Sequence, residues 1–185
     1  YITDQELYEK IVDRYESKKS NEDLFIMSIS MQNHGGYTEK YDNFDEKARM
    51  LGINYPDVNQ YLSLIHESDS ALEYLISYFE KVDDPVEIVF FGDHQPSLSS
   101  SFYPYLNGKG LGGLTLSELE NLYTVPFFIW TNYDSDKESV ELTSLNYLST
   151  LALERAGIAL PAYNQFLADM MEEIPAINSR GFYSK

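Results

Sequence analysis

The amino-acid sequence predicts an α/β fold, in which a largely parallel sheet is layered against flanking helices. Short apolar runs of about six residues, typical of buried strands, alternate with longer segments whose apolar residues recur at helical spacing. The strand-like runs occupy residues 24–29, 86–91 and 125–130. The chain has 185 residues, 43% of them hydrophobic, and can therefore build a sizeable core.

The first helix is predicted to begin after Thr3, because Thr3 and Glu6 have the Thr-x-x-Glu form of a capping box. Apolar residues follow at helical spacing, and the helix is expected to end near Lys19. The apolar run 24–29 is predicted to be a buried strand. It leads into a polar, glycine-containing loop, residues 30–37.

A long helix is expected from about Pro56 to Val82, with one apolar face. The charged, irregular residues 38–55 before it are predicted to lie on the surface. The sequence Asp83-Asp84-Pro85 ends the helix, because proline cannot continue it. Val86–Phe91 is then the clearest strand in the chain.

The remaining elements follow in the order expected of an α/β protein. Residues 97–114 are rich in Ser and Gly, which predicts a mobile loop, and Thr115–Glu118 is a second capping box. Val125–Trp130 is predicted to be the third strand. Two helices follow, Thr143–Ala156 and Tyr163–Glu173.

The charge of the chain excludes some classes of partner. Its 13 Lys and Arg against 30 Asp and Glu give a net charge of −17. Such a surface repels phosphate backbones and anionic lipids, which disfavours binding to nucleic acid and charge-driven attachment to membranes. No apolar run approaches the roughly 18–20 residues of a membrane span. The absence of Cys removes thiol catalysis, Cys-based zinc sites and disulfides.

Asp93 and His94 are the first candidate site, because they directly follow the strand that ends at Phe91. In open α/β sheets, ligands bind at the carboxyl ends of strands. A carboxylate and an imidazole side by side can both contact one divalent ion, such as zinc or manganese. The alternative is local: Asp93 caps a turn, and His94 hydrogen-bonds to the backbone.

His34 is the second candidate, because its loop also follows a predicted strand and contains Gly35 and Gly36. Glycines permit close approach of a ligand, and an imidazole can bind a phosphate or sulfate oxygen or act as a general acid. A surface or turn role is the alternative. The third histidine, His66, falls on the polar side of the long helix and is predicted to be a solvated surface residue.

Four segments of the sequence together resemble a known family. Val89–Pro96 (Val-Phe-Phe-Gly-Asp-His-Gln-Pro) resembles the strand and metal-binding Asp-His of the sulfatase-like branch of the alkaline phosphatase superfamily. Within that branch, the resemblance is closest to the lipoteichoic acid synthase family of phosphoglycerol transferases. Phe25–Tyr37 resembles the family's strand and substrate-binding His loop. Tyr61–Phe79 resembles the long helix, and Tyr123–Trp130 the strand after the Asp-His motif.

The resemblance implies a role for each candidate residue. Asp93 and His94 would be ligands of a divalent cation (manganese, magnesium or zinc), and His34 would contact a phosphoglycerol group. The implied chemistry is attack by a Thr or Ser nucleophile on a phosphodiester, followed by transfer to an acceptor hydroxyl or to water. Family members carry that nucleophile, and an acidic metal ligand, in an N-terminal half that nothing before His34 matches.

Residues 1–185 are accordingly expected to be the C-terminal part of a sulfatase-like catalytic domain, an incomplete domain that is inactive alone. The nucleophile is expected upstream of Tyr1. The full-length protein is expected at the extracellular face of the bacterial cell membrane, acting on a phosphoglycerol lipid or glycan. Two alternatives stay open: a sulfatase or phosphodiesterase of the same superfamily, and a non-catalytic acidic binding or interaction module.

Overall fold

The computed structural model describes residues 2–39, 41–178 and 181–184. The chain divides into two compact units. The first unit consists of residues 1–82 and 92–126, and the second of residues 83–91 and 127–185. Helices and short strands are both present, so the predicted α/β class is confirmed.

In the first unit, helix α1 (Asp4–Glu16) begins at the predicted capping box. The Thr3 hydroxyl accepts a hydrogen bond from Glu6 N at 3.2 Å, and the Glu6 carboxylate accepts one from Thr3 N at 3.1 Å. Helix α2 (Pro56–Phe79) begins at the predicted proline and ends three residues before the predicted Val82. Proline suits the first helical turn, where its missing N–H would have no partner.

Helices α1 and α2 pack against each other along their apolar faces. Tyr8 and Val12 are buried on α1, and Leu64 and Leu75 are buried on α2. At the far end of the pair, the ring of Tyr15 packs edge-on against Phe79, with centroids 5.1 Å apart. The removal of this apolar surface from water is the main force that holds the two helices together.

The prediction of a buried strand at residues 24–29 was wrong. These residues have no ladder partner among the residues that the structure describes, and Phe25 is 89% exposed. A short apolar run is compatible with a buried strand only where neighbouring strands satisfy its backbone groups and cover its side chains. Within this chain, no described strand does so.

Residues 97–114, predicted to be a mobile loop, contain helix α3 (Phe102–Asn107). The helix ends at Gly108, whose φ of +70° favours glycine. Phe102 is buried, and its ring lies 5.3 Å from that of Tyr55. Helix α4 (Leu116–Asn121) then begins at the second capping box, as predicted.

The second unit contains two antiparallel strand pairs, so the predicted parallel pairing is not found among the described strands. Strand β1 (Glu87–Phe91) pairs with β2 (Phe127–Thr131), with Val89 opposite Ile129. The rings of Phe90 and Phe128 stack across this pair. Strands β3 (Ala176–Asn178) and β4 (Gly181–Tyr183) form the other pair. Apolar runs predict strands but not their direction, which depends on how the connections run.

Two helices complete the second unit. Helix α5 (Leu148–Arg155) begins later than the predicted Thr143, after a 3₁₀ turn at residues 145–147, and helix α6 spans Ala162–Glu173. The fully buried Tyr147 donates its hydroxyl hydrogen to Ile174 O at 2.7 Å. In the part of the chain that the structure describes, no helix has the length and hydropathy that crossing a membrane requires.

Candidate functional site

Asp93 and His94 lie in the turn that directly follows β1, and both side chains are exposed to solvent. Each uses one polar atom to hold the turn. Asp93 Oδ1 accepts a hydrogen bond from His94 N at 2.9 Å. His94 Nδ1 lies 2.9 Å from the carbonyl oxygen of Gln95. The local role weighed in the sequence analysis is therefore present in the structure.

The second polar atom of each side chain remains available, and the turn contacts orient it. A carbonyl oxygen can only accept, so the neutral His94 ring carries its hydrogen on Nδ1 and keeps a lone pair on Nε2. Histidines that bind metals have this arrangement, in which the other ring nitrogen donates to a carbonyl or carboxylate. In this tautomer, Nε2 is the ring atom of His94 that could hold a metal ion.

The distance between the two available atoms fits a shared metal ion. His94 Nε2 lies 3.6 Å from Asp93 Oδ2, which is too long for a hydrogen bond. Two ligand atoms at about 2.1 Å from one tetrahedral ion are about 3.4 Å apart. The side chains are 66% (His94) and 77% (Asp93) exposed, so an ion pair between them would contribute little to stability.

Residues 124–126 support this turn from the same unit. Gly92 N donates to Pro126 O at 3.1 Å, and the side-chain amide of Gln95 donates to Thr124 O. A Cβ atom at Gly92 would lie 3.1 Å from Val125 Cβ, closer than side chains normally approach. Close packing therefore favours glycine before Asp93, and the φ of Gly92 is not in the left-handed region.

His34 lies in an exposed turn whose two preceding residues are held firmly. Its backbone N–H donates to Met31 O at 3.2 Å. Gln32, before it, is only 4% exposed and hydrogen-bonds to both long helices. Tyr37, after it, is buried and donates its hydroxyl hydrogen to Asn33 O at 2.7 Å. Burial raises the pKa of Tyr37 to about 12, so this hydroxyl stays a donor at neutral pH.

The structure brings together two of the three predicted site residues. Asp93 and His94 converge, whereas no hydrogen bond or ion pair between described residues joins His34 to either of them. Over residues 2–39, 41–178 and 181–184, no group of three or more His, Cys, Asp or Glu side chains could hold a metal ion. His66 is exposed on α2, as predicted.

Sequence reasoning missed the residues that support the candidates. Gln32 and Gln95 lie in the same short sequence motifs as His34 and His94. Their positions close to the histidines were a sequence signal for a supporting role. Ser68, which binds the side chains of Gln32 and Asn33, lies on a different element. A serine on the flank of a long helix gives no sequence signal of such a role.

The second unit contains an open cavity of about 700 Å³ that none of the predicted site residues lines. Its walls include the acidic residues Asp134, Asp136 and Glu138, together with Arg155. Carboxylates spaced along a solvated loop are common on a chain of net charge −17. We assign no chemistry to this cavity.

Comparisons with known proteins identify two relatives from Rhizobium meliloti (strain 1021). The capsular polysaccharide biosynthesis protein RkpI is 34% identical over 105 residues, which are 57% of this chain and 18% of RkpI. A protein named "Putative cyclic beta-1,2-glucan modification protein" is 22% identical over 180 residues, which are 93% of this chain and 28% of that protein.

Among solved structures, the chain resembles the Streptococcus pyogenes phosphoglycerol transferase GacH in complex with sn-glycerol-1-phosphate. The TM-score is 0.71 at 21% sequence identity, over 97% of this chain and 44% of that one. This likeness establishes a shared fold. The chain spans less than half the length of each of these three proteins.

The family itself follows from a match to a family model. The model of the sulfatase family matches residues 1–158, which include His34, Asp93 and His94. The match covers most of the chain, and the sulfatase-like part of the predicted resemblance is thereby confirmed. The chain belongs to the sulfatase family.

Proposed function

We propose that the protein containing this chain is a metal-dependent phosphoglycerol transferase, and that these residues are the C-terminal part of its catalytic domain. The observation that carries the proposal is the Asp93–His94 turn. There, one carboxylate oxygen and one imidazole nitrogen lie 3.6 Å apart, and the other atom of each side chain is committed to the turn. Membership of the sulfatase family and the shared fold with a phosphoglycerol transferase support it.

Asp93 Oδ2 and His94 Nε2 would hold a manganese, magnesium or zinc ion. The mixed oxygen and nitrogen donors suit zinc or manganese, and their spacing is nearer to a tetrahedral than to an octahedral site. Such an ion, when bound, polarises the oxygens of a phosphodiester and of an attacking hydroxyl. The exposure of both side chains leaves room for ligands from residues outside this chain.

His34 would contact the phosphoglycerol group. Its ring is exposed, and the glycines that follow it let a substrate approach the backbone closely. A neutral imidazole can donate one hydrogen bond to a phosphate oxygen, and a protonated one adds a positive charge. The resemblance of this loop to the family's substrate-binding His loop supports the assignment.

The substrate would be a phosphoglycerol lipid or glycan outside the bacterial cell membrane. The names of the two Rhizobium relatives, which refer to a capsular polysaccharide and a cyclic glucan, favour a glycan acceptor. The net charge of −17 would repel an anionic donor at long range. Local attraction by the metal and by His34 would therefore have to offset this repulsion.

The test uses the full-length protein with phosphatidylglycerol that carries a radiolabelled glycerol headgroup. We expect release or transfer of labelled glycerol phosphate that stops with a chelator and returns with Mn²⁺. Asp93→Asn and His94→Ala should each lower the rate at least 100-fold, and His34→Ala should raise KM about tenfold. His66→Ala and Asp83→Asn, which change exposed residues of the same types, serve as matched controls.

Two further substrates separate the alternatives. Turnover of 4-nitrophenyl sulfate, without turnover of the labelled lipid, would replace the transferase with a sulfatase. Turnover of bis(4-nitrophenyl) phosphate alone would indicate a phosphodiesterase.

Full activity in Asp93→Asn or His94→Ala would remove the metal-site assignment. A full-length protein with no turnover of any of the three substrates would favour a non-catalytic binding module.

A further inference from the structure

A partly buried polar network includes the two residues before His34, and Ser68 on α2 is at its centre. The Ser68 hydroxyl lies 2.9 Å from Gln32 Nε2, 2.8 Å from Asn33 Nδ2 and 2.5 Å from Asp4 Oδ2. Amide nitrogens only donate, so the hydroxyl oxygen accepts both of these bonds. Its own hydrogen must then go to the carboxylate of Asp4. Every hydrogen-bonding capacity of Ser68 is used.

Gln32 joins the same network to both long helices. Its Oε1 accepts a hydrogen bond from Asp4 N at 2.9 Å, one of the backbone N–H groups that the first turn of α1 leaves unpaired. Its Nε2 donates to Leu64 O of α2 at 3.1 Å. Asp4 and Gln32 are only 3% and 4% exposed, so water does not compete strongly for these bonds.

The network fixes the two residues that immediately precede His34. Gln32 is tied to α1 and α2, and Asn33 to α2, through their side chains, and the Tyr37 hydroxyl donates to the carbonyl of Asn33. His34 itself is exposed, and the next residues are glycines. The imidazole therefore follows two residues that hydrogen bonds tie to the helices, and it is itself exposed to a ligand.

We propose that Ser68, together with Gln32 and Asp4, positions His34 for binding of the substrate phosphate. The inference rests on the proposed function, because it takes His34 as the phosphate contact. Ser68 does not reach the substrate in this scheme and acts through the backbone of residues 32–34. A side chain held in its binding geometry loses less conformational freedom when the ligand arrives, which strengthens binding.

The test compares Ser68→Ala with Ser70→Ala in the full-length protein. Ser70 lies on the same helix, but it is exposed and its hydroxyl donates to His66 O at 3.1 Å. We expect Ser68→Ala to raise KM for the labelled phosphatidylglycerol about tenfold, with a much smaller change in kcat. Ser70→Ala should match the wild type, and Ser68→Thr, which keeps the hydroxyl, should restore KM to within about threefold.

Two readouts separate positioning from a general structural role. In the double variant Ser68→Ala/His34→Ala, the effect on KM should not exceed that of His34→Ala alone, because Ser68 acts only through His34. If the KM of the double variant rose by the product of the two single effects, the proposal would be overturned. Independently of activity, hydrogen exchange of a peptide covering residues 31–37 should accelerate about tenfold in Ser68→Ala but not in Ser70→Ala.

The outcomes distinguish this inference from the proposed function. If His34→Ala leaves KM unchanged while Ser68→Ala still accelerates exchange at residues 31–37, the phosphate-binding role of His34 fails and the positioning proposal falls with it. If His34→Ala raises KM but Ser68→Ala changes neither KM nor exchange, only the positioning proposal is overturned. Should Ser68→Ala not fold, Asn33→Ala removes one bond of the network, and an unchanged KM there would overturn the proposal equally.

Discussion

In Asp93 and in His94, one polar atom of the side chain contacts the backbone and the other is available for a ligand. Oδ1 of Asp93 and Nδ1 of His94 contact the backbone of the turn, and Oδ2 and Nε2 then face each other. Oδ2 and Nε2 lie 3.6 Å apart, a spacing that fits two ligands of one tetrahedral ion. The two interpretations offered by the sequence are therefore compatible, because they concern different atoms.

The orientation of the His94 ring depends on Gln95, so we predict that Gln95→Ala weakens metal binding. The substitution keeps the carbonyl that receives Nδ1–H but removes the side-chain anchor to Thr124 O. Loss of outer supports of metal ligands typically costs 10–100-fold in affinity. We expect about a tenfold rise in the Mn²⁺ concentration that gives half-maximal activity of the full-length protein. Gln5→Ala, at a partly exposed glutamine of α1, is the control, and equal Mn²⁺ dependence in both variants would contradict the prediction.

Close packing at Gly92 leads to a second prediction at the residue scale. In Gly92→Ala the new methyl group would lie 3.1 Å from Val125 Cβ, so Val125 or the turn before Asp93 has to move by a few tenths of an ångström. We expect a loss of about 1–3 kcal/mol in the free energy of unfolding, together with weaker metal binding. Because Val125 is the obstacle, adding Val125→Ala should recover part of both losses. Gly92→Ala with wild-type stability and metal dependence would show that the contact relaxes freely.

At the scale of elements, those with a local signal could be predicted from the sequence. The capping boxes at Thr3 and Thr115 place the starts of α1 and α4, because the two hydrogen bonds of each box form within four consecutive residues. Helix α3 has no such signal. It is stabilised by the packing of Phe102 against Tyr55, residues far apart in the sequence, and a Ser- and Gly-rich composition concealed it.

The same distinction applies to the candidate site. Asp93, His94 and His34 could be identified as candidates from the sequence, because Asp and His residues follow apolar runs. The run before His34 nevertheless does not form a strand here. Ser68 could not be named, because its role depends on α1, α2 and the loop of Gln32 meeting in space. Strand direction was missed for a similar reason, since pairing is a property of two segments and not of one.

The cap of α4 predicts a pH dependence of stability. Hydrogen bonds from the Lys109 ammonium and from Thr115 lower the pKa of Glu118 from 4.5 to about 2. A lowered carboxyl pKa contributes stability above the unfolded-state pKa, and the contribution is lost as pH falls through the folded-state value. The difference in Tm between the wild type and Glu118→Gln should thus be constant above about pH 5.5 and shrink between pH 4.5 and 2. A difference that stays constant over that range would show that the charge of Glu118 does not support the cap.

At the scale of the whole molecule, the sulfatase-family match, the shared fold and the presence of only two candidate metal ligands among the described residues fit one account. Among the described residues, Asp93 and His94 are two candidate metal ligands, where a tetrahedral ion takes four. The chain covers 44% of the phosphoglycerol transferase that it resembles in fold. The apolar segment around Phe25, Met27 and Ile29 is exposed, although its composition suits a buried strand. Each of these features is expected if further residues complete the sheet and the metal site.

We therefore predict that the 185-residue chain alone neither turns over labelled phosphatidylglycerol nor binds Mn²⁺ with the affinity of the full-length protein. Two ligands in place of four should weaken metal binding more than about 100-fold, since the loss of outer supports alone costs 10–100-fold. Calorimetric titration with Mn²⁺ measures this, and circular dichroism verifies that the helices are present in the sample. Turnover by the isolated chain that disappears in His94→Ala would place a complete catalytic site within these residues and refute the account.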